Sequence, residues 1–138
     1  MKKMLLLCLV TFGVLTAACG SKSSTTGTVI KSASAGNNLT VSLATADGVL
    51  KHGDPDFTLS FADGSGKTVE VGAVAVTFQM PAMGTMPAMN NTATFNTTGT
   101  PGVYQGKVKL ESAGDWQAQI SYEGAAGKGR TSFTVTAQ

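Results

Sequence analysis

The feature that most restricts the fold of this chain is an alternation of apolar and polar residues over short segments. Leu39, Val41 and Leu43, for example, alternate with threonine and serine. Residues at a period of two lie on one face of a β-strand, so each such segment predicts a strand with one buried face. The segments are 28–32, 39–43, 57–61, 74–78, 93–95, 104–110, 116–122 and 131–135.

Short strands with one apolar face each are buried best when two sheets pack face to face. Turn residues recur between the segments about every eight to twelve positions, as in sandwiches and barrels. No segment has helical length and period. The sequence therefore predicts an all-β fold for residues 28–138, an immunoglobulin-like β-sandwich of about seven to eight strands. Trp116 and Tyr104 are expected at core or corner positions.

The first residues of the chain form a separate segment. Lys2 and Lys3 precede an apolar run at residues 4–10, and small residues at 16–18 lead to Cys19. The run is too short to span a bilayer as a helix, and this order of basic, apolar and small residues is typical of an export signal. We therefore expect residues 1–18 to be a signal peptide.

Cys19 stands where such a signal is cleaved. Residues 15–20 resemble the lipobox of bacterial lipoproteins, although Thr16 holds the position where leucine is usual. The resemblance implies that Cys19 is acylated and anchors the chain to a membrane. The alternative is an ordinary signal peptide that ends beside a cysteine. Residues 19–27 are expected to be the lipidated cysteine and a flexible tether, because they contain no large apolar residue.

These features predict a location in the cell envelope. We expect the protein to be exported and lipid-anchored, with the membrane as a partner through its anchor. Gly20 follows the cysteine where an aspartate would favour retention in the inner membrane. In a Gram-negative cell the protein is therefore expected on the periplasmic side of the outer membrane.

Charge and cysteine content exclude several classes of protein. The chain has ten Lys and Arg against eight Asp and Glu, and two of the lysines lie in the predicted signal, which leaves eight against eight. A neutral domain without a basic run lacks the electrostatic footprint of a nucleic-acid-binding protein, so we expect no nucleic acid partner. With Cys8 in the signal and Cys19 at its end, the domain has no intrachain disulfide and no multi-cysteine zinc site.

All methionines outside the predicted signal lie within ten residues and keep a strict spacing of three. They are Met80, Met83, Met86 and Met89. On a β-strand this spacing alternates side chains between faces, whereas a polyproline helix with three residues per turn aligns them. Pro81 and Pro87 favour the polyproline backbone. We therefore expect a polyproline-type loop with all four thioethers along one edge, bent at Gly84 so that two methionine pairs approach each other.

Thioether sulfur is a neutral, polarizable donor that suits Cu(I) or Ag(I) and is poor for Zn²⁺, Ca²⁺ or Mg²⁺. Outside the cytoplasm thiols tend to oxidise, so a domain without a free cysteine would use methionine for a soft metal. We predict a Cu(I) site formed by the four methionines, with His52 as a further ligand if the fold brings its turn close. The alternatives are a methionine segment that caps the sandwich or docks a partner, and a solvated His52.

Three short motifs recur in one known family. They are Met80-Pro81-Ala82-Met83, Pro101-Gly102-Val103-Tyr104 and Gly114-Asp115-Trp116. With the strand at 74–78, these motifs resemble the YtkA-like domain family, which is related to the FixH-like proteins, over roughly residues 57–135. The resemblance implies an extracytoplasmic immunoglobulin-like domain, found alone on lipoproteins or attached to heavy-metal efflux adaptors. It also implies an association with copper handling and oxidase assembly.

Two functions fit these observations. The first is an extracytoplasmic lipoprotein that holds Cu(I) for delivery or detoxification, with a copper exporter, an efflux adaptor or an oxidase-assembly protein as partner. The alternative is a non-catalytic binding or scaffold module of a cell-envelope complex, with the methionine segment as a hydrophobic contact surface. An enzyme is not expected, because the chain has one histidine and no evident nucleophile–base pair.

Overall fold

The computed structural model describes residues 27–138, which form two antiparallel sheets. The strands are β1 (Thr28–Gly36), β2 (Leu39–Thr45), β3 (Asp56–Ala62), β4 (Ala73–Met80), β5 (Met89–Thr92), β6 (Thr94–Thr97), β7 (Val103–Lys107), β8 (Gly114–Gly124) and β9 (Gly127–Ala137). The strand order is β1-β2-β3-β7-β6 in one sheet and β5-β4-β8-β9 in the other. The predicted all-β sandwich is confirmed, with nine strands in the described residues.

The predicted N-terminal features fall in the part of the chain that is not described. Residues 1–18, Cys19 and all but the last residue of the predicted tether lie outside the described residues. Within residues 27–138, no helix is long and apolar enough to cross a membrane.

The two sheets pack through the apolar side chains that the alternation assigns to one face. The largest fully buried side chains come from both sheets and include Trp116, Phe57, Phe61, Phe78, Leu43, Leu59 and Ile120. Phe57 contacts Phe78 across the sandwich edge to face, with ring centroids 5.7 Å apart, a geometry that aromatic pairs prefer. Trp116 is fully buried, and its Nε1–H donates to the main-chain oxygen of Ser112 at 2.9 Å. The expected core position of Trp116 is confirmed.

Two hairpins are tighter than the sequence indicated. Asn37 and Asn38 alone join β1 to β2, and both have positive φ, 50° and 58°, as a type I′ turn requires. β8 and β9 remain paired up to Gly124 and Gly127, so only two residues join them, whereas the predicted strands 116–122 and 131–135 left eight residues between them. The ladder bonds join backbone groups, and a glycine-rich composition therefore does not end the pairing.

The strand predicted at 93–95 belongs to a longer segment that changes sheets. β5 pairs with β4 in one sheet and β6 pairs with β7 in the other. Ala93 lies between them and donates its main-chain N–H to Val76 at 2.9 Å. β5 was not predicted as a strand because its residues do not alternate between apolar and polar. Each of these two strands is the edge of its sheet.

β4 runs from one end of the sandwich to the other. It begins at Ala73, after the loop that follows β3, and it ends at Met80. Its neighbour β8 runs in the opposite direction, so Gln79 pairs with Gln117 near the start of β8. At about 3.3 Å per residue, a strand of this length spans roughly 25 Å.

Candidate metal site

Residues 80–89, which we call the methionine hairpin, continue the pairing of β4 and β5 beyond the sheet. Met80 pairs with Met89 at the end of the ladder. Further out, the Met83 N–H donates to the Met86 carbonyl at 3.1 Å, and the Met86 N–H donates to the Met83 carbonyl at 2.8 Å. One register therefore places the four methionines in two cross-strand pairs.

The hairpin closes through two residues, Gly84 and Thr85. Gly84 has a φ of 54°, and a type II′ turn takes a glycine with positive φ at its first central position. No atom lies within 4 Å of the place that a Cβ at Gly84 would occupy. Backbone conformation, and not lack of space, therefore favours glycine here.

The two methionine pairs lie on opposite faces of the hairpin, since residues three apart on a strand point to opposite sides. Met80 is 2% exposed and belongs to the core, and Met89 is half-buried against it. Met83 and Met86 are 53% and 43% exposed. We call Met80 and Met89 the inner pair, and Met83 and Met86 the outer pair.

The expectation of a polyproline-type loop with all four thioethers along one edge is therefore wrong. Polyproline and β backbones are both extended, and Pro81 and Pro87 are compatible with either. Both prolines lie between the two methionine pairs, where their missing N–H groups remove no bond from the ladder. Pairing across the hairpin selects the β backbone, and the spacing of three then separates the methionines into two faces.

A groove of about 610 Å³ lies between the methionine hairpin and the outer face of the four-stranded sheet. It is lined by Pro81, Met83, Gly114, Asp115, Gln117 and Thr134. Asp115 accepts a hydrogen bond from the Thr136 hydroxyl at 2.6 Å, which fixes its carboxylate at the edge of the groove. Met83 therefore shares the groove with one negative charge, and this favours a cation over an anion.

The chain on both sides of the hairpin is uncharged. No Lys, Arg, Asp, Glu or His occurs between Glu70 and Lys107. This stretch contains β4, the methionine hairpin, β5, β6 and all but the last residue of β7. Because β5 and β6 are edge strands, the sandwich has one long edge without charged side chains.

His52 lies at the same end of the sandwich as the hairpin, but beside the other edge of the sheet. Its segment runs next to β9, through the pair Leu50 and Ala137, so β9 and β8 separate it from β4 within the sheet. His52 Nδ1 lies 2.8 Å from the main-chain oxygen of Gln138. That oxygen can only accept, so Nδ1 donates this hydrogen bond. The role of His52 as a ligand stays a prediction.

The donor chemistry of the described residues is soft. Among residues 27–138, no group of three or more His, Cys, Asp or Glu side chains is arranged to hold a metal ion. The outer pair offers two exposed, neutral thioethers on directly opposed residues, whose Cβ atoms in such pairs lie about 4.5–5.5 Å apart. This set fits a soft monovalent cation such as Cu(I).

A polar arrangement at the other end of β4, which we call the Glu70 corner, joins the β3–β4 loop to the β6–β7 loop and to β7. The Glu70 carboxylate accepts hydrogen bonds from the Tyr104 hydroxyl, from the Gly72 N–H at 3.1 Å and from the Gly102 N–H at 3.2 Å. Tyr104 is buried, as expected for a core or corner position. Gly102 has a φ of 79°, and a Cβ there would overlap the main-chain oxygen of Val69.

These contacts shift the pKa values of both side chains. The hydrogen bond from Tyr104, followed by those from the Gly72 and Gly102 N–H groups, lowers the pKa of Glu70 from its usual 4.5. Burial, together with the hydrogen bond and negative charge of Glu70, raises the pKa of Tyr104 to about 12. Each polar group of the corner is directed at another group of the protein, so the arrangement suits a structural role.

Sequence reasoning did not single out Glu70. Its partner Tyr104 lies 34 positions away, and the Pro-Gly-Val-Tyr motif indicated a turn and strand without indicating a carboxylate. The only local signal is a glutamate shortly before β4, which by itself is a common surface feature.

Comparison with known families matches residues 33–121 to the YtkA-like family. The match covers more than half of the chain, and it begins and ends earlier than the range 57–135 expected from the motifs. It contains the methionine hairpin, Tyr104 and Trp116. Neither the curated proteins nor the solved structures give a significant match. The chain therefore belongs to the YtkA-like family.

Proposed function

We propose that this protein binds Cu(I) through the outer pair of the methionine hairpin. The observation that carries the proposal is the position of Met83 and Met86, which exchange two main-chain hydrogen bonds and expose both side chains on one face. The same hairpin turns Met80 into the core. The proposed binding residues are thus the outer pair, while the inner pair holds the hairpin against the sandwich.

The chemistry of the pair supports a soft ion. Thioether sulfur is polarizable and uncharged, and the unbranched methionine side chain adapts its rotamers to a bound group. Directly opposed residues of a β-hairpin are close enough for two such side chains to contact one ion. The neighbouring Asp115 adds a negative charge near the groove without adding a second soft donor.

The proposed setting is the cell envelope. In this setting Cys19 carries the lipid anchor, residues 19–27 are the tether, and the sandwich presents the hairpin to a copper exporter, an efflux adaptor or an oxidase-assembly protein. The protein would bind Cu(I) as cargo for delivery or detoxification and would catalyse no reaction.

A second candidate function is a binding or scaffold module of an envelope complex. The exposed apolar side chains of the outer pair and the uncharged edge beside them favour it, because such patches are typical of docking surfaces. In this function the sulfur atoms have no role, and leucine would serve as well as methionine.

Cu(I) titration of the full chain, in detergent under anaerobic reducing conditions, separates the two functions. We expect the methyl NMR signals of Met83 and Met86 to shift. Replacing both with leucine should lower the affinity for Cu(I) by more than about 100-fold, because leucine keeps the apolar volume and loses the sulfur donor. The matched control replaces Met80 and Met89 with leucine and should retain the affinity.

Two results would contradict the proposal. Unchanged affinity in the outer-pair variant would exclude the hairpin as a Cu(I) site and leave the scaffold function. Equal losses in the outer-pair and inner-pair variants would show that the binding residues are not confined to Met83 and Met86.

A further inference from the structure

The outer pair alone offers a soft ion few donors. A d¹⁰ cation has no geometric preference from its d electrons, and Cu(I) and Ag(I) take about two to four ligands. Met83 and Met86 provide two sulfur atoms, which leaves coordination positions open.

The inner pair is badly placed to fill those positions. Met80 and Met89 point to the opposite face of the hairpin, and Met80 is 2% exposed. Moving a methionine side chain out of a core exposes its apolar surface to water, which is unfavourable. Residues 27–138 contain no cysteine and no methionine besides these two pairs, so the described part of the chain has no further soft sulfur donor for the outer pair. A second molecule can supply the missing donors.

The hairpin is open to such an approach. Every residue from 81 to 88 is exposed, so the tip stands clear of the two sheets. The nearest charged residues in sequence are Glu70 and Lys107, well outside the tip. The charged side chain that lines the groove beside Met83 is Asp115, so a cation bound between two tips lies near two negative charges, which it offsets.

The hairpin also has a symmetry of its own. The sequence Met-Pro-Ala-Met stands on both arms, and the Gly84-Thr85 turn lies between them. Half a turn about an axis between Met83 and Met86 exchanges these two residues. The same rotation exchanges Met80 with Met89 but brings each proline onto an alanine, because the repeat is direct. A partner with the same outer pair would therefore present two sulfur atoms in a matching arrangement.

From these observations we propose that two copies of this chain share one soft cation, each copy providing Met83 and Met86. The inference rests on the proposed function and goes beyond it by naming the partner. The contact is isologous, because the same two residues of each copy meet across a two-fold axis. A hairpin tip offers far less area than a stable protein interface needs, so the pairing depends on the metal.

Native mass spectrometry of the full chain in detergent, titrated with Ag(I) as an air-stable soft cation, tests the proposal. We expect metal uptake to saturate at about one Ag(I) per two chains, together with the appearance of a dimer of that composition. The variant with Met83→Leu and Met86→Leu should give neither the dimer nor the uptake. The inner-pair variant, with Met80→Leu and Met89→Leu, should give both.

A mixing experiment sharpens the test. Isotope-labelled outer-pair variant is added to the unlabelled natural chain before Ag(I). We expect Ag(I) only in dimers of two natural chains, since a mixed dimer has two sulfur donors in place of four. Mixed dimers that carry Ag(I) in the statistical share would overturn the shared site.

The other outcomes distinguish this inference from the proposed function. Saturation at one Ag(I) per monomer, with no dimer, would overturn the sharing and leave metal binding by the outer pair intact. Absence of both Ag(I) and Cu(I) uptake would overturn the proposed function and the shared site together. A dimer that forms equally without metal and in the outer-pair variant would show that the copies meet through another surface.

Discussion

The methionine hairpin and the Glu70 corner lie at opposite ends of β4 and differ in how their functional groups are satisfied. At the corner, the Glu70 carboxylate accepts three hydrogen bonds, one from its own loop, one from the β6–β7 loop and one from Tyr104 on β7. At the hairpin, one pair of main-chain bonds fixes the backbone and both outer thioethers face solvent. The corner therefore uses its polar chemistry to hold the fold, whereas the hairpin leaves soft donors free for a ligand.

This difference indicates that stability and binding are separable in this protein. Changes at the corner should alter the free energy of unfolding and leave metal affinity unaffected, and changes at the outer pair should do the reverse. The following predictions test that separation, beginning with the largest expected effect.

The first concerns Gly102 at the corner. Gly102→Ala should lower the free energy of unfolding by about 3 kcal/mol or more, because the left-handed backbone disfavours a Cβ and the added methyl meets the Val69 oxygen. Denaturant unfolding measures the change. Gly99→Ala, in the same loop with open space around it, is the matched control and should be nearly neutral. Loss of metal affinity in folded Gly102→Ala protein would show that the two regions are coupled.

Removal of the Tyr104 hydroxyl should have the next largest effect. Tyr104→Phe deletes a hydrogen bond to a charged acceptor and should lower the free energy of unfolding by about 1.5 kcal/mol. Tyr122→Phe is a useful comparison, since the Tyr122 hydroxyl donates to the neutral main-chain oxygen of Ala35. Tyr122→Phe should lower the free energy of unfolding by about 1 kcal/mol. A larger loss in Tyr122→Phe than in Tyr104→Phe would argue against a special role for Glu70.

The corner should also make stability depend on pH at both extremes. The pKa of Tyr104 is raised to about 12, so its contribution is fully present below the ordinary value of 10 and is lost as the pH rises through 12. The pKa of Glu70 is lowered from 4.5, so its contribution is present above that value and is lost as the pH falls through the folded pKa.

Unfolding measured across pH, in the natural chain and in Tyr104→Phe, tests this dependence. The variant should lack the loss of stability between pH 10 and 12 that Tyr104 causes. Identical alkaline profiles in the two proteins would assign that loss to other groups. Metal affinity within the folded range should not follow these changes, because thioethers do not titrate.

At the hairpin, Gly84→Ala should produce a smaller effect on both properties. The positive φ strains any residue with a Cβ by about 1 kcal/mol, and if the strain loosens the outer pair, Cu(I) affinity falls about fivefold. Gly66→Ala is the matched control, since Gly66 has a φ of 83° and open space but lies in the β3–β4 loop. Gly66→Ala should lower the free energy of unfolding by a similar amount and leave the affinity for Cu(I) unchanged. Equal losses of affinity in both variants would point to a global cause.

The smallest expected effect is on the stability of the outer-pair variant. Leucine at positions 83 and 86 should change the free energy of unfolding by less than about 0.5 kcal/mol, because both side chains are largely exposed. Thermal or denaturant unfolding without metal measures this. A loss of several times that size would mean that the outer pair also packs the fold, and it would weaken the separation of the two regions.

Much of the architecture could be read from local patterns. The period of two in segments such as 39–43 and 116–122 assigned buried and exposed faces, and the structure buries Val41, Leu43, Trp116 and Ile120 accordingly. Segments without alternating apolar residues were not predicted as strands. β5 has no alternating apolar residues. The β8–β9 turn region consists of small residues, and its side chains give no sign that the backbone there is paired.

The methionines show where prediction from sequence reached its limit. The spacing of three was plain, and so was its consequence on each type of backbone. Whether the segment adopts a polyproline or a β backbone depends on pairing partners, because both backbones are extended and prolines fit both. The register that joins Met80 to Met89 and Met83 to Met86 was therefore not contained in the spacing.

Local patterns were enough to assign the class of fold, the soft donors and the uncharged stretch around them, because periodicity, residue type and charge are local properties of the chain. The tertiary structure decided which methionines are buried, where His52 lies and that Glu70 meets Tyr104. These features depend on hydrogen bonds and packing between segments far apart in sequence. Such contacts exist only when the two sheets have closed on each other.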